Sequence, residues 1–503
     1  MTFQSPLQRT AADPGPRYEP RDPRGFPTSP RPLGVLVAVL AVALAAGALG
    51  GRFLVAGDDA GPPAAPVAGG DSAAVVARLQ NDLRRRPDEP RLLTRLGVAY
   101  LARARETADP TFYAKAAGVL GRATRLAPGD ADTMVARGLL ELGRHDFRAA
   151  LAWGLRAAKA NPDLPDALGV VFDAQVELGR YQAAVVTAQA MVDRKPTQGS
   201  LARVSYAREL LGDPAGAVAA MVQAAAAGGG SPTDQAYVRT LIGNLHLGAG
   251  RLAPAEAAYR RALDGDRGYG LAEVGLARVA AARGDLAGAA GRLGPAAERL
   301  PLPATVALLG DVRAALGDPG AATTQYELVR VIERLNRANG VAVDLELARF
   351  EADHVRDRGA DPRRAVAMAR RALAERPTIY ASDTLGWALR QAGRPHQALP
   401  HARAAVRLGA RDALLWYHLA AVEADLGRTA AARRHLAEAL AINPYLTPRD
   451  RPAALTLAGR LHPPAPRTPV GHRRRMEQPC GLGRPSACAS GMPGRRPGRT
   501  SGR

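Results

Sequence analysis

Nine histidines and two cysteines are the first candidates for metal or nucleophilic chemistry in this chain. His396 and His401 lie five positions apart with Pro400 between them, so they do not share one face of a helix. Cys480 and Cys488 are the only cysteines, and both lie in an Arg-rich C-terminal stretch. The rest of the chain therefore offers no thiol nucleophile and no thiolate metal site. We predict no metal site and no cofactor.

The motifs of common enzymes are also missing from the sequence. There is no phosphate-binding P-loop, no H-E-x-x-H zinc motif and no G-x-S-x-G nucleophile motif. The stretch "GYGLAE" from Gly268 begins like a dinucleotide motif but lacks the third glycine, and we interpret it as a turn. The sequence predicts a protein that is not an enzyme.

The net charge of +21 is concentrated at the C-terminus. Residues 445–503 hold 12 Arg against 2 acids, and residues 1–32 hold 5 Arg against 3 acids. The remaining residues are weakly basic with interspersed acids, which is typical of a solvated surface. We expect no specific nucleic-acid binding, although the basic tail could contact nucleic acid or anionic lipid electrostatically.

Composition and spacing indicate a repeated helical structure. Hydrophobic residues make up 47% of the chain but aromatic residues only 4%, so the apolar residues are mostly helix-favouring Ala and Leu, with Val. Pro128, Pro162 and Pro196 are equally spaced, and the same spacing separates Ala410 from Pro444. A fixed period of about 34 residues is typical of helical repeat arrays, so these features predict an all-α chain built from repeated units.

Small residues recur at fixed positions within each unit, as in Ala420, Gly427, Ala432, Ala439 and Pro444. Two antiparallel helices that cross closely need small side chains at the crossing. A glycine seven positions later can adopt positive φ and end the first helix. A proline cannot continue the second helix. Each unit is therefore predicted to be a helical hairpin.

This pattern resembles the tetratricopeptide repeat family, whose signature is W-x₂-L-G-x₂-Y, then A-x₃-F, then P. Around the tenth unit the signature is matched by Trp416, Leu419, Ala420, Ala432, Leu436 and Pro444. The resemblance covers about ten units from roughly Arg91 to Pro444, and with the N-terminal segment it extends to the membrane-anchored bacterial members of the family. It implies a right-handed α-solenoid of about ten hairpins, and we expect a capping helix near residues 447–461.

The resemblance also implies which residues line a concave, partner-binding groove. In three C-terminal units the groove positions fall on Phe350, His354, Tyr380, Asp383, Trp387, Arg390, Leu414 and Tyr417. Four of the 22 aromatic residues of the chain are in this set, and aromatic residues and Arg often anchor interfaces. The alternative is that these side chains pack between neighbouring hairpins. Asp132, Asp166 and Asp173 occupy groove positions near the N-terminus and predict a more acidic end there.

The N-terminus carries an apolar segment. Residues 33–50 are 18 uncharged residues, about 27 Å as a helix, and we predict a transmembrane signal-anchor over 33–55. A cleaved secretory signal is the alternative, because Ala46-Gly47-Ala48 offers small residues at a cleavage site. More Arg residues precede the segment than follow it, which favours a cytoplasmic N-terminus and an extracytoplasmic body.

The domain organisation follows from these assignments. We expect disorder over 1–32, a flexible linker over 56–70, a solenoid with its capping helix over 71–461 and a disordered basic tail over 462–503. The predicted function is that of a membrane-anchored scaffold or adaptor that binds a protein or peptide partner. The alternatives are a secreted protein of the same fold, or a regulator whose basic tail contacts nucleic acid or anionic lipid.

Overall fold

The structure, a computed structural model, describes residues 72–228, 231–355 and 361–461. Over these ranges the chain forms 22 helices and no strand. The all-α prediction is therefore confirmed for this part of the protein. The predicted N-terminal disordered segment, transmembrane helix and linker, and the predicted C-terminal tail, lie outside the described residues.

The helices follow one another with short connections, and we number them α1 to α22 in chain order. Their bounds are α1 Ser72–Arg85, α2 Pro90–Thr107, α3 Thr111–Leu126, α4 Ala131–Gly143, α5 Phe147–Ala160, α6 Pro165–Glu177, α7 Tyr181–Arg194, α8 Gln198–Leu210, α9 Pro214–Ala226, α10 Pro232–Gly248, α11 Leu252–Gly265, α12 Gly270–Arg283, α13 Leu286–Arg299, α14 Pro303–Ala315, α15 Pro319–Ala338, α16 Asp344–Asp353, α17 Pro362–Glu375, α18 Ile379–Gln391, α19 Pro395–Ala405, α20 Ala413–Asp425, α21 Thr429–Ile442 and α22 Asp450–Leu461.

Helices α2 to α21 pair into ten consecutive hairpins, which we call hairpins 1 to 10, from α2–α3 to α20–α21. Each helix packs mainly on the helices that precede and follow it, and on the first helix of the next hairpin. Helix α1 precedes hairpin 1 and α22 follows hairpin 10, where a capping helix is predicted. The prediction of about ten stacked hairpins is confirmed, and the fold is an α-solenoid.

Local sequence explains where the helices begin and end. The side chains of Asp146 and Asp285 accept hydrogen bonds from Ala149 N and Gly288 N, which caps the first turns of α5 and α13. The predicted turn glycines have positive φ, including Gly393 at 71° and Gly427 at 69°. Only glycine takes this conformation without strain, so these residues end the first helices of hairpins 9 and 10.

The helix crossings depend on small residues, as the spacing predicts. A Cβ added to Gly386 of α18 would lie 3.0 Å from Ala402 N of α19. In hairpin 5 the crossing glycine is Gly243, and the residue that faces it, Tyr259, has a large side chain. The ring of Tyr259 from α11 is fully buried between Gly243 and Gly275, and a Cβ on either glycine would lie 2.4 Å from its Cε1.

In two units the sequence contains more residues than the repeat period of about 34, and in each of them the extra residues lengthen a helix. About seven extra residues in the first unit lengthen α2 to 18 residues, and about nine near residues 331–340 lengthen α15 to 20 residues. The hairpin order is unchanged by either insertion. The helices in the described ranges include none that is both long and apolar enough to cross a membrane.

The solenoid makes contact with itself after about one superhelical turn. Six hydrogen bonds join residues 196 to 199 positions apart in the chain, and they lie along one line of contact. In each case the turn within one of hairpins 2 to 5 meets the connection that follows one of hairpins 7 to 10. The offset is therefore about five and a half hairpins per turn.

Candidate functional site

The concave side of the solenoid encloses a cavity of about 680 Å³. Its wall is built by the first helices of hairpins 3 to 10, from Val176 to Leu415, and by the connection between α21 and α22. The contacts between successive turns close this space, because they join the two ends of the turn. The site is thus a partly enclosed chamber, whereas the sequence predicts a groove.

An ion pair closes the middle of the line of contact. Arg376, between α17 and α18, donates from Nη2 to Glu177 Oε2 at 2.6 Å and from Nη1 to Glu346 Oε1 at 2.8 Å. All three side chains are nearly buried, and Arg376 also lies over the ring of Phe147. The two carboxylates raise the pKa of Arg376 despite its burial, so the guanidinium stays charged.

Backbone contacts extend the closure on both sides of this ion pair. Ile379 N donates to Tyr181 Oη at 2.9 Å, and Ala342 N donates to Arg144 O at 2.9 Å. At the other end, Asn443 Nδ2 donates to Leu247 O at 3.1 Å. We call this whole line of contacts, from Ala342 to Pro444 on one side, the inter-turn seam.

Two glycines lie in the inter-turn seam with their α-carbons against carbonyl groups. A Cβ on Gly179 would lie 2.4 Å from Pro377 O, and one on Gly212 would lie 2.4 Å from Gly409 O. Both glycines have positive φ, at 66° and 77°. Because they have no side chain, these glycines can adopt the positive φ that ends a helix and also allow two turns of the solenoid to approach closely.

Buried charges line the floor of the cavity at hairpins 8 to 10. Arg349 donates to Asp353 Oδ2 at 2.8 Å and to Asp383 Oδ2 at 2.9 Å. His418 Nδ1 lies 2.9 Å from Asp383 Oδ1, and its ring stacks on Trp387 with the centroids 3.8 Å apart. These charges compensate one another, which lowers the cost of removing them from water.

The connection between α21 and α22 forms one side of the cavity. Arg449 Nη1 lies 3.6 Å from Asp311 Oδ1, and Asp311 also accepts from Tyr326 Oη and faces His354 Nε2 at 3.0 Å. Leu446, in the same connection, is buried and has a φ of 46°, which is unusual for leucine. This segment holds its position through contacts made across the cavity.

Burial shifts the pKa of several acids near the seam and cavity. It raises the pKa of Glu209 to about 8, and it raises the pKa of Asp412 well above its usual range. The Oε1 atom of Glu209 is buried without a hydrogen-bond partner. These two acids favour the protonated form at neutral pH more than an exposed carboxyl does.

The structure brings five of the eight predicted groove residues to the cavity wall, namely Phe350, His354, Tyr380, Asp383 and Leu414. The other three do not line the cavity. Trp387 and Tyr417 are buried between neighbouring first helices, with ring centroids 6.0 Å apart, and Arg390 pairs with Asp425. These three side chains therefore lie where the alternative prediction places them, in the packing between neighbouring hairpins.

The acids predicted near the N-terminal end of the groove lie outside the cavity wall. Asp173 is buried and accepts two hydrogen bonds from Arg203, at 2.7 and 2.9 Å. Burial raises the pKa of Asp166 to about 6. Asp132 belongs to the same surface, where its pKa is raised by partial burial and by the neighbouring charge of Asp130.

Sequence reasoning missed the residues of the inter-turn seam and most of the cavity wall, including Arg278. Arg376 and Glu177 carry no local signal, because they look like ordinary charged residues at helix ends. Arg278 does carry one. It directly follows the small crossing residue Ala277, as Asn244 follows Gly243, and both line the cavity.

The match to a protein family lies in the C-terminal hairpins. The profile of the family described as tetratricopeptide repeat matches residues 384–446, within hairpins 9 and 10. A comparison with curated protein sequences finds no match.

Three solved structures of low similarity illustrate what the chain resembles. The Cut9–Hcn1 hetero-tetramer of APC/C is 14% identical, with a TM-score of 0.32, over 78% of this chain and 93% of that one. The type IV pilus biogenesis factor PilW is 21% identical, with a TM-score of 0.34, over 40% and 92%. Human IFIT1, solved with m7Gppp-AAAA, is 13% identical, with a TM-score of 0.40, over 67% and 86%.

The family assignment rests on the profile match and on the hairpins themselves. The matched stretch contains the glycine crossing, the positive-φ glycine and the terminating proline in the spacing of the signature. The same helical hairpin recurs ten times in the described part of the chain. Residues 384–446 thus match the tetratricopeptide repeat family, and the same type of hairpin continues through the described part of the chain.

Proposed function

We propose that this protein is a membrane-anchored scaffold that binds a segment of a partner protein on the concave side of its solenoid. The single observation that supports this most is the cavity, which gathers the first helices of eight hairpins around one space. Concave sites with an apolar wall and a few placed polar groups are typical of binding sites. We propose a binding role and no catalytic one.

The chemistry of the wall suggests what kind of segment would bind. Tyr380 and Leu414 are half-buried on the wall and offer apolar contact area. The charged side chains near them are already paired within the protein, as in Arg349 with Asp383. A partner segment would therefore gain most from burying apolar side chains, while the paired charges set its orientation.

Ala304 offers a way to test the cavity without disturbing the core. It lines the cavity and is only partly buried, so Ala304→Trp fills the space from the wall. Ala441→Trp is the matched control, because Ala441 is exposed on α21 and does not line the cavity. Cross-linking and capture from membranes should recover a partner with the native chain and with the control, but not with Ala304→Trp. Equal recovery with all three chains would place binding elsewhere.

Membrane attachment through residues 33–55 is part of the same proposal, with the N-terminus cytoplasmic and the solenoid extracytoplasmic. The support is the 18-residue uncharged stretch and its flanking Arg residues. Alkaline carbonate should leave the full chain in the membrane pellet and release a chain that begins at residue 56. Added protease should digest the solenoid in spheroplasts. Release by carbonate of a chain that has lost its N-terminal apolar segment would instead favour a cleaved signal.

A further inference from the structure

The second helices of the last three hairpins, α17, α19 and α21, carry a concentration of positive charge. They contain seven arginines and two glutamates, whereas α9, α11 and α13 contain four arginines and three acids. All seven arginines are exposed, and one of the two glutamates, Glu438, is bonded to Arg411. The connections beside these helices add three more exposed arginines, Arg394, Arg407 and Arg428. We call the exposed outer side of α17, α19 and α21 the basic face.

The basic face is one continuous surface on the convex side of the solenoid. None of its three helices contributes a side chain to the cavity wall. Burial and the nearby charge of Arg370, on α17, lower the pKa of His401, on α19. Arg403 of α19 and His435 of α21 lie 3.9 and 2.7 Å from the same carboxylate, that of Glu423. The three helices therefore present their basic side chains next to one another.

The charge of the basic face is poorly compensated by the protein itself. The side chains of Arg363, Arg364 and Arg370 form no ion pair or hydrogen bond with another described residue. Exposed arginines of the earlier hairpins do have acidic partners, as Arg292 has Glu273 at 2.8 Å. Like charges gathered on one surface repel one another, and an anionic partner that covers the surface relieves this repulsion. The basic face therefore fits a partner with many negative charges.

The side chains of the basic face favour a lipid surface over nucleic acid. Helices α17, α19 and α21 contain no Phe, Trp or Tyr, whereas proteins that bind single-stranded nucleic acid stack its bases on aromatic side chains. Duplex DNA is read by a helix or ribbon placed in a groove, but these arginines are spread over three neighbouring helices. The same helices expose no large apolar side chain, so contact with a bilayer would be electrostatic and confined to the headgroups.

The inter-turn seam brings the basic face close to the N-terminal end of the solenoid. Arg148 Nη2 of α5, in hairpin 2, donates to Ala374 O of α17 at 3.0 Å, although 226 positions separate the two residues. Helix α1 begins at Ser72, just before hairpin 1. The residues 56–71 between the predicted anchor and α1 reach at most about 50 Å. An anchor at residues 33–55 therefore keeps the basic face near the bilayer.

We propose that the basic face binds the anionic lipid headgroups of the membrane in which the chain is anchored. This inference rests on the membrane attachment proposed above and adds an orientation to it. The convex side of hairpins 8 to 10 lies against the bilayer, and the concave side of the same hairpins stays free for a partner.

The test measures energy transfer from a donor dye on the basic face of the full chain to acceptor dyes on lipid headgroups. Gln397→Cys carries the donor on an exposed position of α19, and Cys480→Ser and Cys488→Ser remove the two native thiols. The protein is reconstituted in discs of phosphatidylcholine alone, or of equal parts phosphatidylcholine and phosphatidylglycerol. Transfer should be two-fold or more higher in the anionic discs. The difference should disappear at about 1 M salt, where the screening length is about 3 Å.

A charge-removing variant ties the transfer to the basic face. Arg363→Gln/Arg364→Gln/Arg370→Gln takes three positive charges from α17 and should abolish the difference between the two kinds of disc. These side chains are exposed, so circular dichroism melts should stay close to those of the native chain.

A matched control takes the same charge from another part of the surface. Arg260→Gln/Arg261→Gln/Arg299→Gln changes exposed arginines of α11 and α13, and it should keep the two-fold difference. Loss of the difference in both variants would mean that only the net charge of the chain matters, and it would overturn the proposal.

Two further results would also overturn the proposal. One is equal transfer in both kinds of disc, and the other is an unchanged difference in the α17 variant. Binding of duplex DNA that depends on the α17 arginines, with no response to anionic lipid, would assign the basic face to nucleic acid instead. Failure of the anchor has a different signature. Carbonate would then release the chain, while salt-sensitive transfer in anionic discs would persist and would still require the α17 arginines.

Discussion

Arg376 and Glu177 lie 199 residues apart in the chain and form a nearly buried ion pair, with Arg376 Nη2 donating to Glu177 Oε2 at 2.6 Å. A solenoid needs contacts only between neighbouring hairpins. This pair instead joins hairpin 3 to the connection after hairpin 8. It makes the cavity a consequence of long-range contacts as well as of the curvature of the stack.

Replacing Arg376 should open the inter-turn seam. Arg376→Met leaves Glu177 and Glu346 without their common partner, and an uncompensated buried charge costs about 3–5 kcal/mol. We expect a lower free energy of unfolding in urea and a larger radius of gyration by small-angle X-ray scattering. Arg292→Met is the control, because Arg292 forms an exposed pair with Glu273 whose loss should cost less than about 1 kcal/mol. An unchanged radius of gyration in Arg376→Met would show that the seam closes without this pair.

The seam glycines permit a test that separates backbone strain from closure. Gly179→Ala and Gly393→Ala both place a side chain at positive φ, which costs about 1 kcal/mol. Only Gly179→Ala also brings a Cβ to 2.4 Å from Pro377 O, since nothing lies within 4 Å of the corresponding position at Gly393. Scattering should therefore show expansion for Gly179→Ala and not for Gly393→Ala. Similar profiles for both variants would mean that the turns separate without consequence for the overall dimensions.

Glu209 should make the protein less stable as pH rises through neutrality. Its pKa is raised from 4.5 to about 8, so the folded state binds the proton more tightly than the unfolded state does. Stability is then lost between about pH 4.5 and pH 8, and Glu209→Gln should be more stable than the native chain by up to about 3 kcal/mol at pH 7. The two chains should have equal stability near pH 4.

The pKa of Glu256 is shifted in the opposite direction, so the same measurement should show the opposite dependence of stability on pH. Its hydrogen bond to Arg283 lowers the pKa of this half-buried carboxyl, so its contribution is present above pH 4.5 and is lost as pH falls. Urea unfolding at several pH values, with Glu209→Gln and Glu256→Gln side by side, checks both directions. A stability difference for Glu209→Gln that does not vary with pH would mean that Glu209 is not protonated in the folded protein.

Trp387 should behave as a core residue and Tyr380 as a wall residue. Trp387 is 4% exposed and stacks on His418, so Trp387→Ala should cost about 3–5 kcal/mol in the free energy of unfolding. Tyr380 is only half-buried, and Tyr380→Ala should cost less. Thermal melts followed by circular dichroism compare the two. A larger loss for Tyr380→Ala would reverse this assignment.

The sequence predicts the hairpins well because their signals are local. Gly386, Gly393 and Ala398 each act at one crossing or one turn of a single hairpin, so one unit can be read without the others. The extra residues of α2 and α15 interrupt the period of about 34 residues, but the period alone does not show that they lengthen helices.

Three of the eight predicted groove residues lie between hairpins and not on the cavity wall, and curvature is the physical reason. With about five and a half hairpins per turn, the first helices stand close together on the concave side. Trp387 and Tyr417 fill the gap between α18 and α20 and leave the cavity wall to their neighbours. The total curvature is the sum of small rotations at every hairpin contact, and no single unit encodes it. For the same reason the pairing of Arg376 with Glu177 could not be predicted.

The half-hairpin offset of the seam restricts how this protein can change its length. Open repeat arrays can gain or lose a whole unit by tandem duplication or deletion, because every junction is alike. Here a unit added between hairpins 5 and 7 would move Arg376 and Pro377 away from Glu177 and Gly179 and set unlike surfaces against each other. The contacts of the seam therefore fix the number of units between its two halves, as closure fixes the circumference of a ring.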